Sequence, residues 1–475
     1  MGHDVAQGPE THSHPWRWSD RQVYDYFRKA ITAGQLRPGN RLPSARTLAQ
    51  QLMVARGTVD AAYAMLAGEG YVIGRPPSGT MVSPGLPGMA RARSTTKPRP
   101  APATSDGITG VPKPFQLGLP AFDAFPRKLW SRLVARQARE LSAADMTYPE
   151  HAGYLPLREA IAAYLAVARG ILCDSRQIVI TSGYQGALDA IGRVLLRRDD
   201  RVWFEDPCYH LARAALERAD IALVPIRVDS EGLRVTDGMA RARDARLAIV
   251  TPSHQAPLGV ALSLPRRLAL LAWASEAGAY VVEDDYDGEF RYTGRPLPAL
   301  KSLDRADRVL YAGSFSKVLF PGLRLGYLVL PEELVDTFSS AILSRSAAAS
   351  SFEQRVVATF MREGYFARHL KRMRSLYAAR RQALADALAA VFGNRLAIDL
   401  EPGGMHLVAR LSGDVRDADL TRKAQAAGFA VDALSSRVIK HRREGGLLLG
   451  FTNIPEAEAI TMCRRLERVI GADLA

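Results

Sequence analysis

The sequence has few cysteines, no long apolar run and no acidic excess, and each lack excludes a class of protein. The three cysteines in 475 residues, Cys173, Cys208 and Cys463, show no short spacing. They supply neither a disulfide framework nor a cysteine zinc site, and they fit a reducing compartment such as the cytosol. No stretch approaches the ~18 uninterrupted apolar residues of a membrane-spanning helix. Residues 1–18 hold His3, His12 and His14 but no apolar core, so they read as a disordered leader rather than a signal peptide. Lys+Arg exceed Asp+Glu by 63 to 49, a net charge of +14. That excess suits a polyanionic partner without requiring one. Hydrophobic content of 47% and charged content of 24% are those of a soluble globular chain, too long for one ordinary core.

Residues 19–82 read as a small helical module. Ser19-Asp20 can cap a helix to about Ala33, with Val23, Phe27, Ala30 and Ile31 on one face. Ser44 reads as the N-cap of a second helix that buries Leu48 and Leu52. A third starts near Arg56-Gly-Thr-Val and runs to Gly68, and two short strands follow around Arg75-Pro-Pro-Ser-Gly79. Two short helices joined by a tight turn, then a hairpin, make a winged helix-turn-helix, which sets the start of its third helix in the DNA major groove. The bland alternative is a dimerisation module with solvated arginines. The stretch resembles the GntR superfamily of regulators: L-P-S-x-R-x-L-A is matched by Leu42 to Ala49, and R-x-T-V-x-x-A-Y-x-x-L-x-x-E-G-Y by Arg56 to Tyr71. The resemblance implies DNA contacts from Arg46, Arg56, Gly57, Thr58 and the wing residue Gly79. Some members carry an arginine where this chain has Asp60.

Residues 83–114, rich in proline and small residues, read as a flexible linker. From 115 to 475, amphipathic segments alternate with short β-rich runs: 177–181, 201–204, 222–225, 247–251, 280–283, 309–312 and 326–330. That pattern predicts an α/β fold, a mainly parallel sheet covered by helices, with ligands at the carboxyl ends of strands.

The polar residues with chemical potential fall at those ends. Thr181-Ser-Gly-Tyr-Gln-Gly186 opens a helix and suits a phosphate. Tyr209 follows the second run and is either a ring stacker or simply packed. His254 and Gln255 sit in a polar turn, within reach of a ring hydroxyl. Asp284-Asp-Tyr-Asp287 offers a carboxylate for a pyridine nitrogen, or alternatively a divalent-metal site or a solvated turn. In Ser314-Phe-Ser-Lys-Val-Leu-Phe-Pro-Gly-Leu-Arg324, one lysine between small hydroxyls is followed by an arginine. A phosphate-bearing aldehyde cofactor needs those groups.

In this order the residues resemble the fold-type-I pyridoxal-phosphate enzymes, the aspartate aminotransferase superfamily. The resemblance implies that Lys317 forms the internal aldimine and Asp284 pairs with the pyridine nitrogen. Tyr286 would hold the phenolic oxygen with help near Gln255, and Tyr209 would stack on the ring. Tyr184, Gln185, Ser314, Ser316 and Arg324 would hold the phosphate. Tyr148 matches a tyrosine that reaches the neighbouring subunit's phosphate, which implies a homodimer. Two departures stand out: His254-Gln-Ala-Pro-Leu-Gly259 replaces N-P-x-G, and Leu448 stands where aminotransferases carry the arginine for a substrate α-carboxylate. Arg442 and Arg443 lie nearby as substitutes or as a solvated loop. A winged helix-turn-helix joined to such a domain resembles the MocR subfamily of GntR regulators. That implies a cytoplasmic, DNA-binding, domain-swapped homodimer that senses pyridoxal phosphate or an amine or amino-acid effector and controls vitamin B6 or amino-acid and amine metabolism. The rival is an active aminotransferase with an accessory DNA-binding domain. Leu448 argues for feeble or absent transamination.

Overall fold

The computed structural model describes residues 18–75, 79–84, 110–294, 297–343, 350–413, 415–441 and 444–474. The leader apart from Trp18, most of the linker, and Arg442 with Arg443 lie outside the described residues. The chain divides into two compact units, Met1–Asp106 and Gly107–Ala475.

The first unit is three helices and a hairpin. In α1 (Asp20–Thr32), Ser19 and Gln22 close a reciprocal capping box, which satisfies two amide donors at the helix start. Ser44 caps α2 (Ala45–Leu52), and Met53 ends it in the left-handed conformation. That tight stop turns the chain straight into α3 (Arg56–Gly68). Strands β1 (Val72–Arg75) and β2 (Gly79–Val82) pair antiparallel. The core packs Val23, Phe27 and Ile31 of α1 against Leu48, Val59, Ala62, Leu66, Val72 and Val82. The four residues predicted for the buried face of the first helix are all buried.

The second unit is built on an eight-stranded sheet. Its strands are β3 (Ile178–Thr181), β4 (Arg201–Asp206), β5 (Ala222–Asp229), β6 (Gly232–Leu233), β7 (Leu247–Val250), β8 (Tyr280–Asp285), β9 (Val309–Ser314) and β10 (Gly326–Val329). Their order is β3-β10-β9-β8-β7-β4-β5-β6. The sheet is parallel from β9 through β8, β7 and β4 to β5. β10 runs antiparallel to both of its neighbours. A parallel return needs a crossover of about a dozen residues or more, usually helical; residues 315–325 hold only a one-turn helix and a 3-10 turn. Apolar runs such as Leu247–Val250 are buried along their length because helices cover both faces. A second, four-stranded antiparallel sheet follows, in the order β11 (Leu396–Asp399), β12 (His406–Leu411), β14 (Gly446–Gly450), β13 (Asp432–Ala433). The long helix Tyr365–Phe392 and the helix Ala459–Ile470 pack together.

One buried ion pair fixes the end of β8. Arg169, just past the helix Leu155–Ala168, reaches Asp285 Oδ2 at 2.5 Å, with both side chains enclosed. The Tyr311 hydroxyl donates to the same oxygen at 2.6 Å, and Arg169 also donates to Ser253 Oγ at 2.7 Å. Removing one partner of a buried pair strands the other charge at a cost of about 3–5 kcal/mol. Arg169→Ala is therefore expected to lower stability by about that much in chemical denaturation, whereas an exposed change such as Arg176→Ala moves it by less than about 0.5 kcal/mol.

Candidate functional site

Five strand ends converge on one site. Lys317 lies on the single-turn helix Phe315–Val318 directly after β9, capped by Ser314 Oγ, which accepts from Ser316 N at 3.2 Å. Its Nζ donates to the Gly118 carbonyl at 2.7 Å. Enclosure lowers the amine's pKa, while Asp287 and Asp284 oppose that shift. Asp284, buried at the end of β8, is pushed up to about 8, first by burial and then by neighbouring carboxylates. The Tyr184 hydroxyl approaches it but makes no aligned hydrogen bond, so it is a buried polar atom without a partner.

The helix after β3 spans Gly183–Leu195, so it begins within the Thr181–Gly186 turn. Ser182 makes no side-chain cap. Tyr184, Gln185 and Gly186 therefore form the first turn itself, where amide donors lack helical partners and the helix dipole favours an anion. The turn at Arg324 comes close to it: a Cβ on Gly326 would sit 3.1 Å from the Gly183 Cα. Arg324 adopts the left-handed conformation (φ 48°) and its side chain is exposed. Gly326, two residues past Arg324, thus brings that turn against the open helix start.

Tyr209 follows β4 and its ring lies 6.3 Å from that of Tyr184. The loop carrying Tyr209 is held by Asp206, which accepts from the backbone amides of Ile439 (2.7 Å), Lys440 (2.9 Å) and His441 (2.8 Å). His441 adds a fourth contact through Nδ1 at 2.9 Å. Arg241 reaches His441 Nε2 at 3.0 Å and can only donate, so Nδ1 carries the proton given to Asp206. Tyr148 is 99% exposed and contributes nothing to the site within one chain.

The helper expected at Gln255 is displaced by its neighbour. The Gln255 amide donates to Glu205, Pro207 and Ala256, and its oxygen accepts from Leu258 N, so it is committed to the loop. His254 instead places Nδ1 2.9 Å from the Tyr286 hydroxyl and 3.1 Å from Asp287 Oδ2. That Asp287 oxygen has no aligned donor among the described residues. The imidazole fits because residue 404 is glycine: a Cβ there, at φ +93°, would lie 2.2 Å from His254 Cε1. His406 stands beside it, ring centroids 5.8 Å apart, with Nε2 2.8 Å from the Pro257 carbonyl. Enclosure brings His406 down to about 4 and keeps it neutral. Gly118, Asp287 and His406 were not singled out from the sequence; the Gly403-Gly404-Met-His406 run is the one local sign of such a close approach. Among the described residues no group of three His, Cys, Asp or Glu is arranged to hold a metal.

Comparison with known proteins accounts for both units. The family Aminotransferase class I and II matches residues 126–443, and Bacterial regulatory proteins, gntR family, matches residues 20–82. The "Probable rhizopine catabolism regulatory protein MocR" of Rhizobium meliloti is 38% identical, over 91% of this chain and 90% of its own. The chain belongs to the MocR subfamily of GntR regulators. The "HTH-type pyridoxine biosynthesis transcriptional regulator PdxR" of Corynebacterium glutamicum is 33% identical, over 90% of this chain and 91% of its own. The crystal structure of Pyrococcus horikoshii kynurenine aminotransferase superposes with a TM-score of 0.70 at 30% identity, covering 76% of this chain and 91% of that one.

The cofactor of that fold is pyridoxal phosphate, and the residues of this MocR-type site fit it. An enclosed amine, an open helix start, a buried carboxylate with raised pKa and an unpartnered tyrosine hydroxyl are what its aldehyde, phosphate and ring nitrogen require. Bound there, it supplies an aldehyde that takes up amines. Asp284 also carries a pH signature. The folded state holds its proton up to about 8, whereas the unfolded chain loses it near 3.8. The folded state then binds more protons between those values, so stability falls as pH rises through that window. His406, held at about 4 instead of 6.5, acts in the opposite sense at lower pH. Between about pH 6.5 and 8 the cofactor-free protein is expected to lose stability in urea denaturation, and Asp284→Asn is expected to shrink that loss.

Proposed function

We propose that this regulator reads pyridoxal phosphate, or an amine that competes with Lys317 for it, and passes the result to its DNA-binding unit. The observation that carries the reading is the Lys317 amine: enclosed, shifted toward its neutral nucleophilic form, and hydrogen-bonded to a carbonyl that can release it. In this reading Asp284 faces the ring nitrogen, Tyr286 with His254 holds the ring hydroxyl, and Tyr209 covers the ring. Tyr184, Gln185, Ser314, Ser316 and Arg324 hold the phosphate.

DNA binding belongs to the GntR unit. The side chains of Arg46 and Arg56 are exposed, as is Gly57, at the starts of α2 and α3, and Thr58 is half-buried. Ala55 gives α3 no side-chain cap, which leaves its first amides open to a phosphate. Arg56 lies 3.3 Å from Asp60. An exposed pair of this kind is weak and yields readily to DNA. Gly79 opens β2 at φ +82° with free space around it, as a wing entering a groove requires. We assign the acting form as a domain-swapped homodimer in which Tyr148 serves the partner's phosphate. A DNA-binding role sets the protein in the cytoplasm, and among the described residues no helix is long and apolar enough to cross a membrane. The relatives' names suggest control of vitamin B6 or amine metabolism. Transaminase turnover is not part of the reading, since Leu448 takes the place of the carboxylate-binding arginine.

Two measurements test this. The protein loaded with pyridoxal phosphate is expected to show a visible absorption band that Lys317→Ala abolishes; a band that survives the substitution refutes the role given to Lys317. Arg56→Ala is expected to weaken operator binding in a mobility-shift assay and to reduce its salt dependence while leaving that band intact. Unchanged affinity would remove Arg56 from the interface.

A further inference from the structure

We infer that the second unit carries a DNA contact of its own: a basic face, formed by two neighbouring helices, that grips the phosphate backbone of a duplex beside the bases read by the GntR unit. The inference rests on DNA binding by the GntR unit. It adds a surface that lies outside that unit and outside the site around Lys317.

The two helices are Arg127–Arg139 and the first half of Tyr365–Phe392. Both pack on the helix Ser351–Arg362, whose Phe360 ring meets Trp130 at 5.8 Å and Tyr365 at 5.9 Å. Glu363 joins them again. Its carboxylate takes Arg136 at 2.5 Å, and its carbonyl accepts from Arg368 at 3.3 Å. Leu133 and Gln137 face inward on the first helix, and Phe366, Leu370 and Met373 on the second. At 3.6 residues per turn, that sets Lys128, Arg132 and Arg139 along one outer stripe and Arg368, Lys371 and Arg372 along the other. All six are exposed.

The charge pattern of these stripes differs from that on other helices. On α1, α3 and two helices of the second unit, a basic residue meets an acid one turn away: Arg21 with Asp25, Arg56 with Asp60, Arg193 with Asp189, Arg213 with Glu217. Here the residue one turn away is another cation, as in Lys128–Arg132, Arg132–Arg136 and Arg368–Arg372. Like charges at that spacing repel and weaken a helix. The first helix holds no acidic residue, and the second holds none before Asp386. Glu363 and Asp123, close to these helices in sequence, are taken by Arg136 and Arg380. The repulsion that the fold leaves standing is relieved when a polyanion lies on the surface.

The chemistry of the surface selects a duplex over a membrane or a second protein chain. Membrane surfaces and protein interfaces are met by large apolar groups among the polar ones. Among the described residues, none of the exposed large apolar side chains lies on either stripe. Between the cations stand the exposed Ser131, Ala135 and Ser375, small enough for a phosphate ridge to come close. The stripe from Lys128 to Arg139 runs roughly 16 Å at about 1.5 Å per residue. A duplex presents about one charge per 1.7 Å of its axis, so several phosphates fall within that length. Contacts of this kind hold the backbone and read no bases. The GntR unit is what brings a duplex to this chain.

The test uses the full-length protein and a mixed-sequence duplex of about 60 base pairs, with binding followed by fluorescence anisotropy across a series of salt concentrations. One variant combines Arg132→Gln, Arg139→Gln, Lys371→Gln and Arg372→Gln. A control variant combines Arg218→Gln, Arg246→Gln, Arg305→Gln and Arg464→Gln, exposed positions elsewhere on the second unit. Both variants have the same net charge, 14 − 4 = +10. The stripe variant is expected to lower the slope of log affinity against log salt by about two to four, at roughly 0.9 per phosphate contact, and to bind roughly tenfold or more weakly at about 100 mM salt. The control is expected to change the slope by less than about one. Equal slopes in the two variants overturn the inference. Wild-type protein gives a second readout that needs no variant to fold. The duplex is expected to shield Lys128 and Lys371 from chemical acetylation several-fold and to leave the exposed Lys440 labelled. Labelling of Lys128 and Lys371 that DNA does not change overturns the inference, as does shielding already complete without DNA. A wild-type protein that binds no duplex at all instead overturns the DNA-binding reading beneath it.

Discussion

Carboxylates gathered at the end of β8 in a region of low dielectric are the constraint that the site is built around. Glu283, Asp284, Asp285, Asp287 and Glu289 follow one another closely, and burial makes each ionised form costly unless a partner or a proton compensates. Most are answered from within the fold. Glu283 accepts the amides of Leu300 and Lys301, Asp285 has Arg169 and Tyr311, and Glu289 has the Tyr164 hydroxyl. Asp284 and Asp287 act on Lys317, and Asp287 also lies 3.1 Å from His254 Nδ1. Burial holds the Asp284 proton up to about 8 and shifts the enclosed Lys317 amine toward its neutral form.

The surrounding architecture brings the other groups to those two carboxylates. The parallel strands deliver their carboxyl ends to one edge, and β10, running backwards, brings the Arg324 turn against the start of the helix Gly183–Leu195. Asp206 ties the segment 439–441 to the end of β4, next to Tyr209. The small antiparallel sheet contributes His406. Two families thereby meet in one chain: a GntR module and a class I and II aminotransferase unit.

Much of this was legible in the linear pattern. Apolar spacing gave the faces of α1 and α2, and Ser19 and Ser44 marked their caps, because these signals depend on residues within a turn of one another. Seven of the eight strands of the large sheet were visible as short β-rich runs; the two-residue β6 was not. The antiparallel direction of β10 was not visible, because it follows from connection length. The four-stranded sheet was missed as well, its shortest strand being the two-residue Asp432–Ala433.

By itself the sequence determined the two-part organisation and the strand-end positions of Lys317, Asp284, Tyr286 and Tyr209. All of these are matters of residue type and order. Only the tertiary structure decided that His254 rather than Gln255 meets Tyr286, that Gly118 holds the lysine, and that one Asp287 oxygen lacks an aligned donor among the described residues. Those outcomes depend on which groups burial brings together across more than thirty positions of chain. In a packed interior each amide or carboxylate is claimed by the neighbour that reaches it first in space, and no local pattern records that.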